Sequence, residues 1–136
     1  MKYPLIFTLL SPLLFAHTLT VKVSNIANNN GAILIGLYNK ANDFTKIDKV
    51  YKKGKLNSIE ENSFTYSFTN IPDGTYAISI LHDENRNKKL DKNFLGIPKE
   101  GYGFSNNVHP SFRSATFEEA KFELKSDSSL SVKIVY

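Results

Sequence analysis

Apolar and polar residues alternate along three stretches of the chain, at residues 19–23, 64–68 and 130–136. A period of two places successive side chains on opposite faces of a β-strand, so each stretch is predicted to bury one face. Residues 32–38 are almost entirely apolar, which is typical of a central strand covered on both faces. Gly36 inside that stretch indicates a bulge or a close approach of another group to the backbone.

Three further stretches complete the predicted framework. Residues 50–56 carry several lysines, which commonly protect an edge strand from pairing with other chains. Residues 75–81 and 122–124 are also predicted strands.

Turn signals indicate how these strands connect. Residues 28–31 (Asn-Asn-Asn-Gly) predict a hairpin turn, because Asn and Gly reach left-handed conformations at little cost. The sequence Pro72-Asp73-Gly74 predicts a tight turn, so residues 64–69 and 75–81 are expected to pair as a hairpin. In that hairpin the apolar face that contains Ile78 would lie against the aromatic face of the other strand.

Helical signals are few. Residues 42–45 predict a short helical turn, and residues 114–120 predict a capped helix in which Thr116 and Glu119 form a capping box. About seven short strands separated by turns, with one short helical turn, are typical of an all-β fold. We predict a single domain, an antiparallel immunoglobulin-like or transthyretin-like β-sandwich.

The 136-residue chain has a formal net charge of +4 and no cysteine. Its basic residues are spread over residues 40–55, 86–92 and 121–125, so nucleic-acid binding is not predicted. Attraction to anionic lipid headgroups or polysaccharide fits this dispersed charge better. Without cysteine, the domain has neither a disulfide nor a lipid anchor on a cysteine, and it depends on its core.

The first residues have the features of a secretory signal peptide. Lys2 supplies a positive charge, residues 5–15 form an apolar run, and Ala16 offers a small residue for cleavage. The run is too short to span a bilayer, which takes about 20 apolar residues. We therefore predict a signal peptide at residues 1–16, cleavage after Ala16, and a mature domain at residues 17–136. That domain would be periplasmic or secreted, with no stable membrane span.

Residues 82–105 hold the densest group of special residues. Side-chain oxygens recur at the relative positions one, three, five and nine of a calcium-binding loop, in Asp83, Asn85, Asn87 and Asp91. Such a loop has Gly at position six and a bidentate Glu at position twelve, where this chain has Lys88 and Phe94. Glu100 could supply the missing carboxylate. The alternative is a turn in which Asp and Asn bond their own backbone, and both interpretations stay open.

Acid–base groups occur in and near the same stretch, in His82, Asp83, Asp91, Glu100 and His109. No cysteine, GxSxG or HExxH motif accompanies them, so neither a nucleophile nor a zinc motif supports catalysis. We therefore do not predict an enzyme. The alternatives are a hydrolase-like activity that uses His82 and His109 with carboxylates, or a zinc ion held by the same groups.

The string HDENxNxxLDxNxxGxPxExxGFS, at residues 82–105, resembles the hallmark of an exported bacterial family, domain-of-unknown-function family 2141. Residues 71–77 and 114–122 also fit that family, so the resemblance covers essentially the whole mature domain. It implies an exported β-sandwich similar to transthyretin-like and carboxypeptidase-regulatory-like modules, and it implies no activity. Family members often have Gly where this chain has Arg86 and Lys88, which weakens the calcium interpretation. Phe112-Arg113-Ser114 departs from the small and Pro-rich residues expected before the capped turn.

These observations predict an exported binding or accessory module whose functional face is the loop region at residues 82–111. Its partner would be an envelope protein, a polysaccharide or a small ligand, and calcium is the one candidate cofactor. An enzyme needs a concave pocket with converging His and carboxylate groups. Exposed rings at Tyr102 and Phe104 would instead favour a structural role in the envelope, with weak calcium binding as one version. The other candidate site residues are His82, Asn93, Glu100, Tyr102, Phe104, Ser105 and His109.

Overall fold

The computed structural model describes residues 2–6, 15–95 and 98–136. Its strands are β1 (Ala16–Ser24), β2 (Ala32–Tyr38), β3 (Lys52–Leu56), β4 (Phe64–Pro72), β5 (Gly74–Asp83), β6 (Tyr102–Phe104), β7 (Phe122–Leu124) and β8 (Ser128–Lys133). The helical elements are α1 (Phe117–Ala120) and 3-10 turns at Ala41–Asp43, Ile47–Lys49 and Ser105–Asn107. The predicted all-β fold is confirmed.

Two sheets pack around one core. One sheet has the strand order β4-β1-β8, and the other has the order β3-β2-β5-β6, with β7 paired to β5 as its fifth strand. Inward-facing side chains of both sheets, among them Val21, Ile35 and Ile78, form a single buried cluster. Every strand pair is antiparallel except β1 with β8, which run parallel. The sandwich is therefore antiparallel with one exception.

The two predicted hairpins are wrong. β1 pairs with β4 and β8, whereas β5 pairs with β2, β6 and β7, so neither predicted turn joins two paired strands. Residues 28–31 and Asp73 instead carry the chain from one sheet to the other. Ile78 and Phe68 do share a core, but they belong to different sheets of the sandwich. Alternation shows which face of a strand is buried. It does not show whether the residues that cover this face come from the same sheet or from the other sheet.

The central strand β2 contains no bulge at Gly36. Its register with β3 and β5 is continuous, so the alternative interpretation, a close approach, holds. A Cβ atom at Gly36 would lie 2.7 Å from Cε2 of Tyr38, whose ring covers this glycine. The lysine-rich strand β3 pairs with β2 alone, as predicted for an edge.

The predicted capping box is present at the start of α1. Thr116 Oγ1 accepts the N–H of Glu119 at 3.2 Å, and Glu119 Oε1 accepts the N–H of Thr116 at 3.0 Å. Arg113 donates to Glu119 Oε1 at 2.6 Å. This guanidinium is the main cause that lowers the pKa of Glu119 to about 2. Arg113 therefore adds an ion pair to the cap.

Much of the predicted signal peptide, residues 1 and 7–14, lies outside the described residues. β1 begins at Ala16, so cleavage after that residue would leave the strand complete except for its first position. The His17 side chain binds the Asp73 carboxylate and fastens the start of β1 to the β4–β5 connection. Within the described part of the chain, no helix combines the length and apolar character needed to cross a bilayer.

Candidate functional site

The loop after β5 is held at its start by the carboxylate of Asp83. This last residue of β5 is only 1% exposed. Its Oδ1 accepts the N–H of Asn87 at 3.1 Å, and its Oδ2 accepts the N–H of Lys88 at 2.8 Å. Arg86 and Lys88 have φ angles of 59° and 62°, where glycine fits without strain. Asp83 therefore stabilises a tight turn that the local residues would not favour by themselves.

The carboxylate of Asp91 faces the side-chain amides of Asn85 and Asn87. Asn85 Nδ2 donates to Asp91 Oδ2 at 2.6 Å, and Asn87 Nδ2 donates to Asp91 Oδ1 at 2.9 Å. The amide oxygens are also used: Asn85 Oδ1 accepts the N–H of Asn87 at 3.2 Å, and Asn87 Oδ1 accepts that of Lys89 at 2.9 Å. The hydrogen bonds that the Asp91 carboxylate accepts, above all from the Asn87 side chain, lower the pKa of Asp91.

Glu100 holds the loop from its other end. Its side chain is buried, with Oε2 accepting the N–H of Glu84 at 2.6 Å and Oε1 accepting that of Asp91 at 3.0 Å. Burial raises the pKa of Glu100 above its ordinary value. One carboxylate thus joins the two arms of the loop through their backbone.

The four predicted calcium ligands lie in one loop, and N–H groups of that loop occupy their oxygens. This is the geometry of the alternative interpretation, the hydrogen-bonded turn. No three His, Asp or Glu side chains in the described residues are placed to hold a metal ion together. Calcium would have to share these oxygens with the hydrogen bonds of the turn, and calcium binding stays a prediction.

We expect the melting temperature to be the same in calcium and in chelator, because backbone N–H groups and the side-chain amides of Asn85 and Asn87 already donate to the loop carboxylates. A site with a millimolar Kd would instead add about 1.4 kcal/mol at roughly ten times that Kd, a shift of a few degrees for this size. Calorimetry in calcium, in magnesium and in chelator measures the difference. A rise with calcium alone that Asp83→Ala abolishes would restore the calcium interpretation.

His82 is fully buried and uses both ring nitrogens. Its Nε2 lies 2.7 Å from the carbonyl oxygen of Asn30, which can only accept, so Nε2 carries the hydrogen. Its Nδ1 lies 2.6 Å from the hydroxyl of Tyr136, which donates to it and accepts the N–H of Ala27 at 3.0 Å. His82 therefore ties the end of β5 to residues 27–30 and to the C-terminal residue.

His109 lies with Tyr102 and not with His82. The Tyr102 hydroxyl is 3.1 Å from His109 Nδ1, and the two ring centroids are 5.3 Å apart. Tyr102 and His109 together line a cavity of about 220 Å³. The two histidines named for hydrolysis or zinc thus have separate partners.

Two other predicted site residues have structural partners. Ser105 is buried, and its hydroxyl accepts the N–H of Ile78 at 2.9 Å and donates to the carbonyl of Ala120 at 2.5 Å. It fills the gap along β5 between the stretches paired with β6 and with β7. Asn93 Oδ1 accepts the N–H of Leu95 at 2.9 Å.

A groove of about 690 Å³ lies on the outer face of the five-stranded sheet. Two rows of outward-facing residues from β3, β2, β5 and β6 form its floor, one of Lys55, Leu34, Leu81 and Tyr102 and the other of Lys53, Gly36, Ser79 and Phe104. Leu90 of the loop after β5, together with Ile47 and Val50, lines its sides. We call this cavity the outer groove. Its volume lies within the range of roughly 300–1,000 Å³ that is usual for small-molecule sites.

The outer groove is apolar with a cationic margin. Its charged lining residues, of those described, are four lysines, Lys53, Lys55, Lys88 and Lys92, and no Asp, Glu or His is among them. Tyr102 is half-buried and Phe104 is buried, so both rings belong to the groove and not to an exposed aromatic surface. Residues 82–111 contribute both loop residues and β6 to this groove, and β2, β3, β5 and the β2–β3 connection supply most of the rest.

Sequence reasoning missed the strand residues of the groove. Leu34 and Leu81 occupy outward positions of β2 and β5, where a one-sided strand would carry polar residues. Their apolar character was the signal, present in the sequence, that the outer face of β2 and β5 would also be partly covered. Lys53 and Lys55 were interpreted only as guards of an edge strand.

One protein family matches the chain across residues 21–132, from β1 to β8. Its description reads "Uncharacterized protein conserved in bacteria (DUF2141)". No curated protein and no solved structure matches the chain.

Proposed function

The chain belongs to the DUF2141 family of bacterial proteins, whose description names no activity, and from this premise we propose that it is a binding module. Its ligand site is the outer groove. The observation that carries the proposal is the apolar floor at Leu34 and Leu81, which are only half-buried beside the aromatic rings of β6. A partly covered apolar cavity of this volume is the usual form of a small-molecule site.

Two alternatives receive less support from the same geometry. An enzyme would need His and carboxylate groups that converge on the cavity, whereas His82 is buried and bonded through both nitrogens. A structural role through exposed aromatic rings loses its argument, because Tyr102 and Phe104 line the groove. Ligand binding requires an apolar, partly covered cavity, and the outer groove is such a cavity.

The test is a neutral dye whose fluorescence rises in apolar surroundings, such as Nile red. We expect saturable binding to the purified domain. Ser79→Phe should weaken binding by more than about tenfold, because Ser79 is a small floor residue and a phenyl ring there would fill the cavity. Fluorescence titration gives both dissociation constants.

Ser67→Phe is the matched control, since Ser67 is an exposed, outward-facing residue of the other sheet. It should bind the dye like the unmodified domain. Both variants must first give the circular dichroism spectrum of the unmodified domain. Absence of saturable binding, or an equal effect of the two substitutions, would overturn the groove as the ligand site.

We also propose that the domain works outside the cytoplasm, in the periplasm or secreted. The support is the positively charged, apolar and small-residue order of residues 2–16. Intact-mass measurement of the protein from its native cell envelope should give a species that begins at His17. A mature species that retains residues 1–15 would contradict export.

A further inference from the structure

The charges of the outer groove are concentrated toward one end. Lys55 belongs to the floor row nearest the end of β5, and Lys88 and Lys92 come from the loop that follows that strand. The Arg86 side chain fixes this loop over the same end, donating to the carbonyls of Gly31 at 3.0 Å and of Asn57 at 2.8 Å. Three of the four lining lysines therefore lie toward the end where β2 begins and β5 ends.

The opposite end of the groove is apolar. Tyr38 ends β2 there, and Ile47 and Val50 from the β2–β3 connection line the wall beside it. Asp48 lies near this end, since its carboxylate, after burial, contributes to raising the pKa of Tyr38 to about 12. The lining of the groove thus changes along its length from cationic to apolar.

We propose that the outer groove binds a small amphipathic anion, such as a single-chain fatty acid, with its carboxylate near Lys55, Lys88 and Lys92. Its apolar chain would lie along Leu34 and Leu81 toward Ile47. This inference rests on the proposed function of the groove and adds the chemical class of the ligand. Lysine ammonium groups can follow a mobile carboxylate as point charges, and the exposure of these three lysines makes the attraction depend on salt.

The occupant is a free amphiphile and not a membrane surface for two reasons. The cavity is concave and of small-molecule size. Exposed Lys22, on the other sheet, and Lys125, after β7, lie outside the groove, so part of the basic charge is spread away from it. A flat bilayer would use only part of this charge.

The experiment uses displacement of the neutral dye by three ligands with the same medium-length alkyl chain, each below its micelle concentration. The carboxylate should bind more tightly than the alcohol, and the trimethylammonium ligand should bind most weakly. Lys88→Gln with Lys92→Gln should weaken carboxylate binding by roughly three- to thirtyfold, from two partly exposed charge contacts. It should leave the alcohol unchanged. High salt should have the same selective effect.

Lys22→Gln with Lys125→Gln is the matched control, because it removes the same charge from exposed positions outside the groove. It should not change any of the three affinities. Equal binding of carboxylate and alcohol in every variant would overturn the anionic ligand and leave the groove as an apolar site. Capture of anionic vesicles without displacement by the free carboxylate would also overturn it. Failure of the dye itself to bind would instead remove the proposed function.

Discussion

Replacing Ile78 by alanine is expected to lower the free energy of unfolding by about 2–5 kcal/mol, the usual cost of a large-to-small change in a core. Ile78 is fully buried in the middle of β5 and packs in the cluster shared by both sheets. Because β5 has neighbours on both sides, the surroundings have little freedom to collapse into the space. Urea denaturation monitored by circular dichroism measures the loss.

Ile47→Ala is the control for Ile78→Ala, since it removes the same atoms from a side chain that is 48% exposed. Its effect should stay below about 1 kcal/mol, as for most surface changes. If Ile78→Ala costs no more than this control, the inward face of β5 has been assigned wrongly.

The second large effect is expected at Gly31, where alanine should destabilise the fold by about 2–5 kcal/mol. Gly31 has φ of +67°, and a Cβ atom there would lie 1.9 Å from the backbone oxygen of Asp83. The neighbouring carbonyl of Asn30 accepts from His82, so a displaced backbone would also disturb that buried histidine. Thermal and urea unfolding should both register the change.

Gly74→Ala provides the comparison for Gly31→Ala. Its Cβ atom would meet only the ring of Tyr76, at 3.2 Å, and Gly74 has no positive φ. A cost below about 1 kcal/mol is expected for this variant. Equal costs for the two glycines would show that Gly31 is not held in its conformation by the packing around it.

The sequence allowed the strands to be predicted, but not their partners. Alternation at residues 19–23 and 64–68 identified β1 and β4 because each buries one face. It could not indicate that β1 lies between β4 and β8, since that pairing joins residues far apart in the sequence. The Asn-rich and Pro-containing turns reverse the chain direction, and the same reversal serves a hairpin or a passage between sheets.

Only part of the candidate site could be predicted, because the sequence does not show which strands become neighbours. Spacing within residues 83–91 indicated an ordered loop, and in the structure those oxygens accept backbone N–H groups or, at Asp91, the side-chain amides of Asn85 and Asn87. Whether such oxygens bind a cation or accept from an amide depends on the conformation of the loop. That conformation places Arg86 and Lys88 in the left-handed region, which is uncommon for residues other than glycine. The groove combines Lys55, Leu34, Leu81 and Lys88, and only the sheet register brings these residues together.

The parallel pairing of β1 with β8 makes the three-stranded sheet depend on residues far apart in the sequence, since Leu19 pairs with Ser128. β1 is the central strand of its sheet, and one of its two edges stays unpaired until residues 128–133 join it. A folding chain that lacks this contact cannot bury Leu19, Val21 and Val23 as the folded domain does. Contacts between distant parts of a sequence also form slowly. The topology thus favours slow folding, in which an exposed edge of β1 persists until β8 docks.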